Sequence, residues 1–375
     1  MSESSGREIK VTQPLLPDLD DMDRMLEKIW ESRQLSNNGE MVQRLEAELS
    51  RYLDAEAVSV FSNGTAALQI ACRLLGLDGE VITTPFTFAA TVNAIQWNHA
   101  VPVFCDIQED TCNMDPRRIE PLITEKTSAI LPVHVFGNPC DVDAIGDIAD
   151  RHGLKVLYDA AHAFGVRYRG KSLASFGDVA MLSFHATKVF NTIEGGALVF
   201  SDPALKRKAD ELRNFGLCGD GDIREPGING KMNEVQAAMG LLLLKKVGAE
   251  IERRKTITQL YAERLEDIPG VRLLHPARDV DYNYPYLIVR ISEGEFGCSR
   301  DALYERLAER SIFTRKYFYP LCSNFSCYRR LSSSEKENLP VANRIADSVL
   351  ALPLYGALSN PDVELICDQV EQARR

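Results

Sequence analysis

Lys188 and Asp159 are the two residues whose types and spacing point most directly to chemistry. Lys188 follows the segment Ser-Phe-His-Ala-Thr, and Asp159 lies 29 residues upstream in Tyr-Asp-Ala-Ala-His. A lysine can form a Schiff base with a carbonyl group, and a carboxylate can hold the proton of a pyridinium ring. The pair is therefore the minimal set of side chains for pyridoxal phosphate chemistry.

The residues before Lys188 predict a buried strand. Residues 177–184 read Gly-Asp-Val-Ala-Met-Leu-Ser-Phe, a short apolar run of the kind found in parallel sheets. Most of the 43 lysines and arginines must be solvated surface charges. Because ligands of open α/β sheets collect at the carboxyl ends of strands, we expect Lys188 to lie at a site rather than on a helix face.

A second candidate feature is the turn around Gly64. Residues 61–68, Phe-Ser-Asn-Gly-Thr-Ala-Ala-Leu, predict the end of a strand, a glycine turn and the start of a helix. The free N–H groups of such a turn bind anions, so Gly64 and Thr65 are predicted to hold a phosphate. An ordinary helix cap formed by Ser62 or Asn63 is the alternative. The chain contains neither G-x-G-x-x-G nor a Walker loop, which weakens dinucleotide and P-loop interpretations.

The remaining candidates have both a chemical and a structural interpretation. Asp159 ends an apolar strand, where a carboxylate needs a charged or hydrogen-bonding partner. A pyridinium nitrogen would be such a partner, and a role in a salt bridge or as a helix cap is the alternative. His162 and His185 are either functional groups or buried structural histidines. An aromatic ring in residues 83–88, Thr-Thr-Pro-Phe-Thr-Phe, could lie against a flat cofactor, although core packing is the default for Phe86.

The elements that must position these residues indicate an α/β fold. Between residues 57 and 200, apolar β-rich runs alternate with helical patterns, which predicts a mostly parallel central sheet covered on both faces. Two amphipathic helices are expected before this block, at residues 18–33 and 40–53.

The pattern changes after about residue 230. Met232 to about Leu265 predicts one long helix that leads into a smaller domain. A strand is then expected at residues 281–291, with helices near 299–309, 335–350 and 360–373. We place the boundary near residue 250, so that residues 1–250 form a large cofactor-binding α/β domain and residues 251–375 form a small α+β domain.

Composition limits the class of protein. A length of 375 residues with 45% hydrophobic content suits a large core, and a net charge of −11 is unlike a nucleic-acid footprint. Residues 1–7 are not followed by a signal-peptide core, and no stretch approaches the about 18 apolar residues of a membrane span. A cytoplasmic location is expected. The nine cysteines are scattered without a C-x-x-C pair, which predicts reduced, mostly buried thiols and no metal site.

Five ordered motifs carry a family resemblance. They read Ser-Asn-Gly-Thr-Ala-Ala-Leu, Thr-Pro-Phe-Thr-Phe, Asp-Ala-Ala-His-Ala, Ser-Phe-His-Ala-Thr-Lys and Glu-Gly-Gly-Ala, and residues 227–234 with Ala237 and Ala238 extend the match. Together they make the chain resemble the DegT-type (DegT/DnrJ/StrS) nucleotide-sugar aminotransferases over nearly its full length. The resemblance implies a fold-type I enzyme that uses pyridoxal 5'-phosphate and forms a homodimer with shared active sites.

The resemblance also assigns roles by position. Lys188 is implied to bind the cofactor covalently and to shuttle protons, and Asp159 to pair with the pyridine nitrogen. His162 stands near the ring hydroxyl, where many members have Gln, and Phe88 is implied to stack on the ring. The phosphate is implied to be held by Gly64, Thr65, Ser183 and Asn229 of the partner subunit.

The residues around Lys188 suggest the substrate. Residues 188–196 look most like members that transfer the amine of L-glutamate to C-4 of dTDP-4-keto-6-deoxyglucose, giving dTDP-4-amino-4,6-dideoxyglucose for deoxyaminosugar and O-antigen biosynthesis. Members that act at C-3 more often show Pro-Thr-Lys-Asn-Leu-Gly there. The predicted sugar contacts are His185, Asn191, Tyr317 and Tyr319, and for Tyr319 packing between domains is the alternative.

Other functions stay open at this stage. A C-3 aminotransferase, an aminocyclitol aminotransferase or a dehydratase would use the same cofactor, although the family's dehydratases have His in place of the lysine. A regulatory protein that kept the fold without the cofactor is an alternative of another class.

Overall fold

The computed structural model describes residues 8–219 and 221–374, so the prediction made on residues 1–7 lies outside the described residues. The helices are α1 (Leu19–Ser32), α2 (Glu40–Leu53), α3 (Gly64–Leu74), α4 (Ala89–Trp97), α5 (Val142–His152), α6 (Pro203–Leu212), α7 (Glu234–Leu244), α8 (Val247–Leu265), α9 (Glu293–Phe296), α10 (Arg300–Glu309), α11 (Pro340–Ser348) and α12 (Asn360–Gln372).

The strands are β1 (Ala57–Phe61), β2 (Glu80–Thr83), β3 (Val101–Phe104), β4 (Thr127–Leu131), β5 (Lys155–Asp159), β6 (Arg167–Tyr168), β7 (Lys171–Ser172), β8 (Val179–Ser183), β9 (Gly196–Phe200), β10 (Val271–Leu273), β11 (Val280–Asp281), β12 (Leu287–Ile291) and β13 (Val349–Leu352). None of the helices in the described ranges is both long and apolar enough to cross a membrane.

A seven-stranded sheet in the order β1-β9-β8-β5-β4-β2-β3 organises the first part of the chain. All pairings from β8 to β3 are parallel, and only β9 runs antiparallel, between β8 and β1. The strands read as continuous apolar runs because helices bury both faces, and β1 and β9 are buried at all five positions. The predicted α/β class with a mostly parallel sheet is confirmed.

Alternate residues of each strand pack into different helical layers. In β5, Tyr158 joins a core cluster with α1, α2, α5 and α7. Its neighbour Leu157 packs on the other face with α3, α4 and α6. The sheet is therefore held rigidly from both sides, and its carboxyl edge is a fixed platform.

A second sheet, β10-β12-β13, belongs to the later part of the chain and packs with α8, α10 and α12 around its own apolar cluster. Ile9 is buried in this cluster and pairs with Ile312 as a β-bridge. The boundary near residue 250 stays a prediction. However, the first described residues pack with the C-terminal cluster, which a division by sequence position alone does not anticipate.

Three predicted elements are wrong in detail. The long helix from Met232 to Leu265 is two helices, because Lys246 N–H bonds to the Leu243 carbonyl and the regular ladder is interrupted there. The strand at residues 281–291 is two strands, β11 and β12, with an irregular segment between them. The helix at residues 335–350 stops at Ser348, because the next four residues are buried and pair with β12 as β13.

Candidate active site

Three strands bring the predicted residues to one edge of the central sheet. β1 ends at Phe61, β5 at Asp159 and β8 at Ser183, and these strands run in the same direction. Gly196 pairs with both Phe61 and Ser183, so the turn after β1 lies beside the end of β8. The carboxyl edge of the sheet is therefore where the candidate residues meet.

The turn after β1 forms a cradle with open backbone donors. Asn63 caps α3, because its Oδ1 accepts the N–H of Ala66 at 2.8 Å. The cap leaves the N–H groups of Gly64 and Thr65 without an acceptor in the described part of the chain. A Cβ on Gly64 would lie 3.3 Å from the Cβ of Ser183, so glycine allows the close approach. The turn is therefore a capped helix start that also leaves two backbone donors open, and phosphate binding by Gly64 and Thr65 stays a prediction.

Asp159 is a buried carboxylate with neutral donors. Its side chain is 5% exposed, Oδ2 accepts from the Thr91 hydroxyl at 2.7 Å, and Oδ1 accepts from the Ala161 N–H at 3.0 Å. Burial raises the pKa of Asp159, while these hydrogen bonds and the positive charge of Lys188 oppose the change. A protonated ring nitrogen beside this carboxylate would favour its charged form.

The start of α4 supports Asp159 and exposes an aromatic ring. The hydroxyls of Thr87 and Thr91 are 2.8 Å apart, which links the turn before α4 to the carboxylate. Phe88 lies between these threonines and is 65% exposed, whereas Phe86 is fully buried in the core. The geometry leaves the Phe88 ring free to lie against a flat group, and stacking stays a prediction.

His162 is buried, and its protonation follows from its partner. Nδ1 accepts the Phe136 N–H at 3.2 Å, so the ring proton of the neutral imidazole lies on Nε2. Burial, followed by the charge of Lys188, holds the pKa of His162 well below its ordinary value. The ring lies parallel to those of Phe136 and Phe318, with centroids 6.3 and 6.0 Å away. His162 is therefore a fixed, neutral hydrogen-bond donor.

Lys188 is half-buried and carries an amine of lowered basicity. Burial lowers the pKa of Lys188 to about 8, and the charge of Asp159 opposes this change. Nζ lies 3.4 Å from the hydroxyl of Tyr286, whose ring centroid is 5.3 Å from that of Tyr317. The amine is therefore enclosed by aromatic rings and is partly unprotonated near neutral pH.

We predict that this lowered pKa is visible in the reactivity of Lys188. In the full-length chain without bound cofactor, acetylation by acetic anhydride should rise with a midpoint near pH 8, since only the neutral amine reacts. Mass spectrometry of the peptide that contains Lys188 measures the midpoint, and exposed Lys171 serves as the reference lysine. A midpoint above roughly pH 10, as for an ordinary lysine, would contradict the prediction.

The other predicted residues lie at varied distances from this centre. His185 is exposed just after β8, with Nδ1 2.8 Å from the Thr187 hydroxyl. Asn229 is exposed on the loop before α7, and its Oδ1 accepts from Lys231 Nζ at 2.9 Å. Tyr319 is 48% exposed, and its ring centroid is 5.1 Å from the Arg300 guanidinium. No contact with Lys188 or Asp159 joins Tyr319 to the site among the described residues.

Asn191 requires a correction. It is 1% exposed, its Nδ2 donates to the Leu15 carbonyl at 3.1 Å, and its Oδ1 accepts the Ile193 N–H at 3.2 Å. Both ends of the amide are therefore used by backbone groups. The residue holds the loop after Lys188 in place, and the geometry does not support the predicted sugar contact.

Sequence reasoning missed two residues that complete the site. Thr91 binds Asp159 from a helix 68 residues upstream, and Tyr286 contacts Lys188 from a segment 98 residues downstream. The i, i+4 spacing of Thr87 and Thr91 is a usable signal, as is the run of tyrosines at 282, 284 and 286. Both contacts are tertiary, so neither pattern alone indicates its partner.

The assembled residues fit pyridoxal phosphate. The buried carboxylate of Asp159 suits a protonated ring nitrogen, the open donors at Gly64 and Thr65 suit a phosphate, and the amine of Lys188 suits an aldehyde. A side chain at position 64 would crowd Met181 and Ser183, with both contacts to its Cβ at 3.3 Å, so glycine suits the close approach of this turn to β8. No cluster of side chains suited to a metal ion occurs in the described ranges.

Comparison with known proteins agrees with the family resemblance of the sequence motifs. The model of the DegT/DnrJ/EryC1/StrS aminotransferase family matches residues 18–371. The dTDP-4-amino-4,6-dideoxy-D-glucose transaminase of Escherichia coli is 46% identical over 356 residues, which cover 95% of this chain and 96% of that protein. The dTDP-3-amino-3,4,6-trideoxy-alpha-D-glucose transaminase of Streptomyces venezuelae is 33% identical over 337 residues, which cover 89% of this chain and 87% of that protein.

The structure is also similar to that of a solved enzyme. DesI, crystallised in the presence of its TDP-sugar product, superimposes with a TM-score of 0.94 at 37% identity, covering 98% of this chain and 93% of that chain. This similarity, together with the mostly parallel sheet, confirms the predicted fold-type I architecture.

Proposed function

The chain belongs to the DegT/DnrJ/EryC1/StrS aminotransferase family, and on this premise we propose that it transfers the amino group of L-glutamate to C-4 of dTDP-4-keto-6-deoxyglucose. The product would be dTDP-4-amino-4,6-dideoxyglucose. The family membership and the aminotransferase activity predicted from the sequence motifs are confirmed. The chain is thus a sugar aminotransferase rather than a regulatory protein.

The difference in similarity carries the choice of C-4. The transaminase named for a 4-amino sugar is 46% identical, whereas the one named for a 3-amino sugar is 33% identical. Residues 188–196, which begin at Lys188, also resemble the members that act at C-4. A C-3 product is the second candidate that the experiment below distinguishes.

The cofactor we propose is pyridoxal 5'-phosphate. When bound, it supplies an aldehyde that exchanges amines and a protonated ring that withdraws electrons from the substrate carbon. Gly64, Thr65 and Ser183 would bind the phosphate, Asp159 would face the ring nitrogen, and Phe88 would cover the ring. Support comes from the open helix start and from the buried carboxylate beside it.

Lys188 and His162 have different proton roles in this proposal. The amine of Lys188, with its pKa lowered to about 8, is partly neutral near pH 7 and can move a proton at the substrate carbon. His162 stays neutral near pH 7, because burial and then the charge of Lys188 hold its pKa well below the ordinary histidine value. Nδ1 is used by the Phe136 N–H, so Nε2–H would be the group that donates a hydrogen bond to the ring hydroxyl of the bound cofactor.

A second copy of the chain is the proposed partner. The loop between α6 and α7 exposes several apolar side chains next to Asn229. The surfaces of monomeric proteins rarely expose apolar side chains in such a cluster. These residues are Phe215, Leu217, Ile223 and Ile228. We propose that this loop packs on the other subunit and brings Asn229 to the phosphate bound by that subunit.

The cytoplasmic location predicted from the sequence stays a prediction.

The test is a direct assay of regiochemistry. Purified enzyme is incubated with L-glutamate and dTDP-4-keto-6-deoxyglucose, and NMR locates the new amine on the ring. The proposal expects the amine at C-4 and one 2-oxoglutarate for each sugar. The 3-keto isomer serves as the matched control substrate. Amination of that isomer alone would overturn the choice of C-4, and no transfer to either sugar would overturn the substrate class.

The role of His162 leads to a prediction of its own. His162→Gln should keep kcat within about tenfold, because the Gln amide can both accept the Phe136 N–H and donate at the ring hydroxyl. His162→Leu, which has neither group, should lower kcat by about 10²-fold. Steady-state kinetics with glutamate measure both values. Equal activity of the Leu variant and the wild type would show that the imidazole has only a packing role.

A further inference from the structure

Tyr286 contacts the active lysine from outside the predicted motifs. Its hydroxyl lies 3.4 Å from Nζ of Lys188, and Nζ lies 5.9 Å from the centroid of its ring. The ring also meets that of His162 edge-on, with centroids 5.0 Å apart and an interplanar angle of 79°. Tyr286 therefore contacts both the amine of Lys188 and the ring of His162.

The segment that carries Tyr286 is anchored on the active-site loop. Residues 282–286 connect β11 to β12, and the Tyr282 hydroxyl donates to the Phe136 carbonyl at 2.5 Å. Asn283 Nδ2 donates to the carbonyls of His162 and Phe164 at 2.9 and 3.0 Å. The tyrosine is thus fixed to the same loop that carries His162.

A buried ion pair holds the segment from the other side. Arg254 in α8 donates to the Pro285 carbonyl at 3.3 Å and to Glu250 Oε1 at 2.6 Å. Glu250 Oε1 also accepts the N–H of Gly356 at 2.9 Å, and both charged side chains are buried. Two layers of hydrogen bonds therefore set the place of Tyr286 before any ligand binds.

The hydroxyl of Tyr286 has no other hydrogen-bond partner in the part of the chain that the structure describes. Burial raises the pKa of Tyr286 to about 12, so the phenol keeps its proton at every working pH. It can accept a hydrogen bond from the ammonium form of Lys188 and donate one to the neutral form. The carboxylate of Asp159 already accepts hydrogen bonds from Thr91 and Ala161. Nδ1 of His162 already accepts one from the Phe136 N–H.

We propose that Tyr286 is a positioning residue for Lys188. The hydroxyl of Tyr286 holds the free amine of Lys188 in place while the lysine acts as the proton-transfer base. This inference rests on the proposed function for its kinetic consequence. The contact itself does not depend on the substrate, because it is present in the chain alone.

The test compares Tyr286→Phe with the wild-type chain in two assays. Acetylation of Lys188 in the cofactor-free, full-length chain gives the midpoint pH of the amine. We expect Tyr286→Phe to lower this midpoint by about one pH unit, since a hydrogen bond from a charged donor is stronger than one made by the neutral amine. In steady-state kinetics, kcat should fall about 10- to 100-fold with KM changed less than about threefold.

Tyr284→Phe is the matched control. It removes a hydroxyl from the same segment, and among the described residues that side chain packs on the Tyr282 ring without a hydrogen bond to Lys188 or to the loop that carries His162. Its midpoint should stay within about 0.3 pH unit of the wild type. An unchanged midpoint in Tyr286→Phe, or an equal shift in both variants, would overturn the positioning role. If the wild type transferred no amine to a keto sugar, the proposed function would fail, while the acetylation result would still decide the inference.

Discussion

Lys188→Ala is expected to lower kcat by at least about 10⁴-fold, because the substitution removes both the covalent attachment point of the proposed cofactor and the proton-transfer base. The other binding groups, among them Asp159 and the turn at Gly64, would still hold the cofactor. Single-turnover conversion of glutamate, followed by the cofactor's visible absorbance, separates a lost chemical step from lost binding.

The fold of Lys188→Ala should be intact. The side chain is half-buried and desolvated, so its removal takes an unfavourably placed charge out of the site and leaves the apolar core untouched. The melting temperature should be equal to or slightly above that of the wild type. Lys171→Ala, at an exposed position in β7, is the control and should match the wild type in both assays. Full activity in Lys188→Ala would disprove the assignment of the lysine.

Asp159→Asn is expected to lower kcat by about 10²- to 10³-fold with little change in fold. The amide has nearly the shape of the carboxylate, can accept the Ala161 N–H and can donate to the Thr91 hydroxyl, so no buried group loses its partner. What is lost is the negative charge that would keep a proton on the ring nitrogen. Steady-state kinetics and thermal unfolding of the same preparation measure the two effects.

Asp178→Asn is the matched control for this charge. Asp178 directly precedes the neighbouring strand β8 and lies at the opposite end of the sheet, where it binds Lys155 and the Val156 N–H. Its replacement should affect stability slightly and kcat by less than about twofold. Equal losses of kcat in the two variants would mean that general destabilisation, and not the charge at the ring, explains the effect.

Several site residues could be predicted because their signals are local. Asp159 ends one apolar strand and Lys188 follows the neighbouring one, and the parallel register of β5 and β8 brings the ends of both strands to one edge of the sheet. The cradle at Gly64 is encoded by a strand, a glycine turn and a helix within eight residues. Each of these predictions depends on periodicity and turn chemistry, which short segments carry by themselves.

Asn191 shows where local reasoning fails. Its position three residues after Lys188 suggested a substrate contact, but its side chain turns inward to Leu15, 176 residues away in sequence. β13 was missed for a related reason. Its first residues, Val349 and Leu350, fall in the predicted helix, and tertiary pairing with β12 and with Arg315 stabilises residues 349–352 as a strand.

The sequence by itself determined the kinds of chemical group, the alternation of strands and helices, and the motifs that identify an aminotransferase. The tertiary structure decided which groups meet, because Thr91 and Tyr286 reach Asp159 and Lys188 across 68 and 98 residues. The tertiary structure also decided the protonation states of Lys188 and His162. A lysine amine with a pKa of about 8 and a histidine that stays neutral are consequences of burial, and burial exists only once distant segments have packed together.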